Sequence, residues 1–161
     1  MIELHILRHA HAGDPQAWTG PDEARPLSDK GEKQADRLGR FLAGVGFDPD
    51  AIITSPKLRA AQTAEIVAKH LGTAISFDDR LGGSLDIGVL ETLLREAGDP
   101  QRPVIVGHDP DFSELVAELA GAETVPMPKA ALARVDIERP LRSGAGTLHW
   151  LIPPDLLKPA R

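Results

Sequence analysis

Apolar positions along this chain recur at two spacings. Short apolar runs read as strands: ELHIL from Glu3, AIIT from Ala51, AISF from Ala74 and VIVG from Val104. Between them, apolar residues fall at helical spacing. Ala35, Leu38, Phe41, Leu42 and Val45 predict a helix from about Ser28, ended by Gly44 and Gly46. Ala60, Ala64, Val67 and Leu71 predict a second, with Ser55 as N-cap, Pro56 in its first turn and Gly72 closing it. Ile87, Leu90, Leu93, Leu94 and Ala97 mark a third. Phe112, Leu115, Val116 and Leu119 mark a fourth, capped by Asp109 with Pro110 at its start. The tail changes character: ALARVDI and TLHWLI alternate and read as a hairpin-like pair.

Alternation of strand and helix requires crossover connections and a mostly parallel sheet covered on both faces. The expected fold is therefore α/β, a three-layer α/β/α sandwich whose central sheet the last two strands make mixed. No internal repeat interrupts residues 1–161, so one domain is expected. At 161 residues such a domain buries roughly 70% of its unfolded-chain surface.

Composition narrows the chemistry. There is no cysteine, which removes disulfides and thiolate metal sites and fits a reducing compartment, the cytoplasm. The start, MIELHIL, is too short and too charged for a signal sequence. No apolar run approaches the ~20 residues of a membrane span. A formal net charge of −6 argues against a nucleic-acid-binding surface but leaves room for a small basic pocket.

In open α/β sheets ligands bind beyond the carboxyl ends of the strands. Arg8 and His9 end the first strand, Ser55 and Arg59 follow the second, and His108 follows the fourth. They are distant in sequence, yet all belong at one sheet edge. Two arginines supply planar forks of donors suited to phosphate oxygens. Helix N-termini near Ser55 and Asp109 add unpaired N–H groups and partial positive charge. The pocket is expected to take a phosphate. His5, His70 and His149 lack such support and read as structural.

The rival is a metal site. His9 and His11 form a His-x-His pair, and His5 shares their parity. Three or four ligands with oriented supporting contacts would be needed. Further ligand clusters are missing, and Arg8 and Arg59 would repel a cation. No metal and no cofactor are expected.

LRHA at Leu7, TSPKLRAAQTA at Thr54 and VIVGHDPDF at Val104 together resemble the motifs of the histidine phosphatase superfamily, whose phosphoglycerate-mutase-like members are α/β/α sandwiches. RPLSDKG, LVAEL and HWLIPPDLL resemble more specifically the SixA-type phosphohistidine phosphatases, over Ile2 to Leu157. The resemblance implies a metal-independent phosphatase in which His9 is the nucleophile and becomes transiently phosphorylated. It implies that Arg8, Arg59 and His108 bind the phosphoryl group, with Arg25 and Ser55 as further substrate-binding candidates. The implied substrate is phosphohistidine on a protein, such as a histidine-containing phosphotransfer domain. A small-molecule phosphomonoesterase and a phosphate-binding module without turnover are the alternatives.

Larger relatives place a carboxylic acid after the third strand. Here that region holds Asp78, Asp79 and Asp86, none of them in a matching motif. SixA-type relatives manage with little or no dedicated acid. The family often has an acidic residue where His11 stands, so the role of His11 is open.

Overall fold

A computed structural model of the chain describes residues 1–159. The strands are β1 (Ile2–Arg8), β2 (Ala51–Thr54), β3 (Ile75–Phe77), β4 (Pro103–Gly107), β5 (Leu132–Ile137) and β6 (Thr147–Ile152). The helices are α1 (Asp29–Gly44), α2 (Leu58–Leu71), α3 (Ile87–Glu96) and α4 (Asp111–Ala120). The strands form one sheet in the order β3-β2-β4-β1-β5-β6. The first four of these are parallel, whereas β5 and β6 run antiparallel to their neighbours. The sheet is mixed, as the hairpin-like tail predicts.

Strand side chains alternate between two cores, which is the period-two rule at work. Leu4, Ile6, Ile53 and Ile105 pack with Leu90, Leu93 and Leu94 of α3 and Phe112, Leu115 and Leu119 of α4. Leu7, Ile52, Val104 and Val106 face the other way, onto Leu38 and Leu42 of α1 and Ala60, Ala64 and Val67 of α2. Three layers result. Two residues of the expected α1 stripe miss the core: Phe41 and Val45 are 39% and 63% exposed. The helix instead buries Gly31, Gln34, Ala35, Leu38, Gly39 and Leu42, a narrower face set by its close packing on the sheet and α2. Gly31 is needed there, because a Cβ would strike the His11 carbonyl.

Helix starts differ from the sequence reading at two places. Helix α2 begins at Leu58 with Lys57 as its cap residue, so Ser55 is not its N-cap. Helix α4 begins at Asp111 after Pro110, and Asp109 caps from one position further out, accepting from the Ser113 N–H at 3.0 Å. The Gly72 stop of α2 is as expected, in the left-handed conformation.

The topology opens the site. β1 and β4 are neighbours, with Arg8 opposite Gly107. The chain leaves β1 towards α1 on one face and leaves β4 towards α4 on the other. Two loops that part in this way leave a crevice at the carboxyl ends of the strands.

Candidate active site

His9 follows β1 directly, and its N–H donates to the Gly107 carbonyl at 2.9 Å. That bond sets the His9 ring beside His108, with ring centroids 5.2 Å apart. Thr63 secures the same turn from α2: its hydroxyl accepts from the Ala10 N–H at 3.0 Å and donates to the Arg59 carbonyl at 2.7 Å. Thr63 is fully buried and couples the loop after β1 to the helix carrying Arg59. Nothing in the sequence singles it out.

The His9 tautomer follows from its neighbour. Nδ1 lies 2.7 Å from the Ala10 carbonyl, which can only accept. Nδ1 therefore carries the proton and Nε2 keeps its lone pair. Burial pushes the ring pKa down to about 4, and Arg59, Arg8 and Lys129 add to this against the Ala10 carbonyl. His9 is neutral at pH 7 with Nε2 as a free base.

His108 is arranged differently. Its Nε2 lies 2.7 Å from the hydroxyl of Ser55, which also accepts from the Lys57 N–H at 3.2 Å. Burial, then the charges of His9, Arg59 and Lys57, lower its pKa to about 3. The buried Ser55 hydroxyl has no other acceptor among the described residues, so it donates to Nε2 of the neutral ring, which leaves the proton on Nδ1. Ser55 thus serves His108 rather than offering its hydroxyl at a helix start.

Both arginines are held by their outer nitrogens. Arg8 Nη1 donates to the Met127 carbonyl at 2.7 Å and lies 3.4 Å from Asp109 Oδ2. Arg59 Nη1 and Nη2 donate to the Asp22 carbonyl and carboxylate at 2.9 and 3.0 Å. Three buried donors are left without partners among the described residues: Arg8 Nε, Arg59 Nε and His108 Nδ1. An unpaired buried donor costs about 1–3 kcal/mol. All three belong to residues at or just beyond the carboxyl ends of β1, β2 and β4, and their donor chemistry suits a tetrahedral oxyanion.

Other candidates sit at the margin. Arg25 donates to the Ala12 carbonyl at 2.7 Å and lies 3.4 Å from Asp22, so it closes the first loop and reaches Arg59 only through that carboxylate. His11 Nδ1 lies 2.6 Å from Ser28 Oγ, fastening the loop to the start of α1. Asp22 was absent from the sequence reading, since its partner Arg59 is distant in the chain. Desolvation opposes its ionisation, but the hydrogen bonds and charge of Arg59, then Arg25, prevail and hold the carboxyl below its usual range.

The acid candidates are engaged elsewhere. Arg80 binds Asp78 through both side-chain oxygens and holds its pKa down, and Asp86 caps α3 through the Val89 N–H at 2.8 Å. Asp79 is exposed and opens a short 3-10 helix. None of the three hydrogen-bonds a site residue. Among the described residues, no three of His, Asp and Glu are grouped to hold a metal.

The histidines of this fold give a stability prediction. Burial lowers His5 to about 4 as well, against its contact with the Pro103 carbonyl. Unfolded histidines titrate near 6.5. Between those values the unfolded chain binds protons that the native chain refuses, so stability is full above pH ~6.5 and falls as the pH drops towards 4. Urea midpoints at pH 7.5, 6 and 5 are expected to decline in that order. His9 and His108 ring resonances should stay unshifted from pH 8 to pH 5. Movement centred near pH 6.5 would contradict the buried neutral rings.

Comparison with known proteins agrees with this geometry. The sequence model of the histidine phosphatase superfamily, branch 1, matches residues 4–125. The chain belongs to the histidine phosphatase superfamily. Phosphohistidine phosphatase SixA of Escherichia coli (strain K12) is 30% identical over 99% of each chain. An uncharacterised protein of Picosynechococcus is 36% identical over 76% of each. A solved structure of the protein histidine phosphatase SixA complexed with tungstate overlays with a TM-score of 0.83 at 28% identity, covering 98% of this chain and all of that one. The α/β/α fold of that structure is that of this chain.

Proposed function

We propose that the protein is a metal-independent phosphohistidine phosphatase that acts through a phosphorylated His9. The observation that carries this reading is the trio of orphaned donors, Arg8 Nε, Arg59 Nε and His108 Nδ1, around a histidine whose Nε2 is unprotonated. The likeness to SixA along the whole chain supports the substrate class.

The chemistry proceeds in two displacements. The His9 Nε2 lone pair attacks phosphorus as the bond to the departing nitrogen breaks, and that electron pair leaves with the substrate ring, which carries a proton on its other nitrogen and departs as neutral imidazole. Arg8, Arg59 and His108 neutralise the equatorial oxygens, which is most of what phosphoryl transfer asks of a protein. Water then attacks phosphorus and gives up a proton to solvent, the P–Nε2 bond breaks, and the pair returns to His9. Two short connections, Ser55–Lys57 between β2 and α2 and His108–Pro110 between β4 and α4, leave their side of the crevice open to a protein substrate, while the longer His9–Ser28 connection closes on Arg59 through Asp22.

The cationic pocket predicts the response to ions. Arg8 and Arg59 repel a divalent cation and attract a tetrahedral or trigonal oxyanion. Activity is expected to survive EDTA and to be blocked by tungstate or vanadate. Loss of activity in EDTA, restored by zinc, would instead favour His9 and His11 as metal ligands.

A further inference from the structure

Between α4 and β5 the chain passes through Met127, Pro128, Lys129 and Ala130. This segment is fastened to the nucleophile strand. The Met127 carbonyl accepts from Arg8 at 2.7 Å. The Ala130 N–H lies 3.1 and 3.0 Å from the carbonyls of Arg8 and His9, and the Ala131 N–H closes the turn onto Pro128 at 2.9 Å. Ala130 has φ of 67°, a left-handed conformation that a residue with a Cβ keeps only where its surroundings over-determine it. Lys129 is therefore carried on a fixed turn against the backbone of His9.

Its charge is uncompensated. Lys129 is half-buried and forms no ion pair among the described residues. Desolvation, then Arg8, Arg25, Lys30 and Arg59, lower the pKa of its ammonium. The two carboxylates of the pocket are already engaged, Asp109 by Arg8 and Asp22 by Arg59 and Arg25. Arg8, Arg25, Arg59 and Lys129 thus outnumber the carboxylates Asp22 and Asp109 while the ring histidines are neutral, and Lys57 and Lys30 lie near enough to add to the positive field. An excess of positive charge suits a phosphoryl dianion.

We propose that Lys129 is a further phosphoryl-binding residue, its ammonium reaching the oxygens held by Arg8, Arg59 and His108; this rests on the phosphatase reading above. The sequence gives no hint of it, because Lys129 stands in a loop outside the three motifs.

Calorimetric titration with tungstate tests it on the full chain. Lys129→Met is expected to weaken tungstate about tenfold or more, ~1.4 kcal/mol, and to raise KM for a phosphohistidine peptide by a similar factor. Lys129→Arg restores binding to within about threefold, since it keeps the charge and donors. Lys30→Met, which removes a more exposed charge, should change binding by less than about twofold. If Lys129→Met does not fold, Lys129→Gln is titrated in its place. Unchanged tungstate binding in Lys129→Met, or an equal loss in Lys30→Met, overturns the assignment to Lys129. A wild-type chain that binds no tungstate overturns the phosphatase reading as well.

Discussion

His9→Ala is expected to lose at least ~10⁴-fold of turnover while the fold persists, the size of loss seen when a covalent nucleophile is removed from an enzyme. The ring sits at the crevice, only 6% exposed, and its one side-chain hydrogen bond is to the adjacent Ala10 carbonyl. Its removal breaks no long-range contact of β1, whose register rests on β4 and β5. The thermal midpoint should therefore move by a few degrees at most, as for a loss of about 1 kcal/mol. Rapid quench of the wild type with labelled phosphohistidine peptide should trap acid-labile phosphate on the protein, and His9→Ala should trap none. Residual activity above about one per cent in His9→Ala would exclude the covalent route, since no second nucleophile could supply it at that rate.

The leaving group should decide the substrate range. Asp78 is locked to Arg80, Asp86 caps α3 and Asp79 is exposed, so no carboxylic acid after β3 is held ready to protonate an alkoxide. A positioned general acid supplies ~10²–10⁴-fold. Phosphoserine and sugar phosphates should be slower than phosphohistidine by about that factor, because imidazole departs as a ring that protonates near pH 6.5 and an alkoxide does not. Aryl phosphates should fall between. Asp86→Asn should leave phosphohistidine turnover and stability nearly unchanged, since an asparagine oxygen accepts the Val89 N–H about as well as the carboxylate does. Equal rates for phosphohistidine, aryl phosphate and phosphoserine, with a collapse for phosphoserine in Asp86→Asn, would make Asp86 a working acid and the protein a small-molecule phosphomonoesterase.

Much of the fold was legible in the chain because the signals are local. Apolar periodicity predicts all six strands and four helices, and the alternating tail predicts the antiparallel β5–β6 pair. Helix edges were less legible. Ser55-Pro56 has the composition of a helix start, yet α2 begins at Leu58, and the Ser55 hydroxyl meets His108 across 53 residues of chain. Phe41 and Val45 have helical spacing but stay exposed, since which flank of a stripe is covered depends on the neighbouring layer.

The candidate site divides in the same way. The sequence by itself determined which residues stand at or shortly after strand ends: Arg8, His9, Ser55, Arg59 and His108. It pointed too to donors suited to an anion, because residue type and element boundary are both properties of a short segment. The tertiary structure alone decided what those residues can do. It chose the His9 tautomer through Ala10, turned Ser55 onto His108, set Asp22 on Arg59 and left three donors unpaired. It also fastened the turn carrying Lys129 to the backbone of Arg8 and His9 through the Ala130 N–H. The long-range contacts among these depend on β4 lying next to β1 and on two loops parting to opposite faces. A contact between residues far apart in the chain is a consequence of strand order, and no local pattern of apolar and polar positions encodes that order.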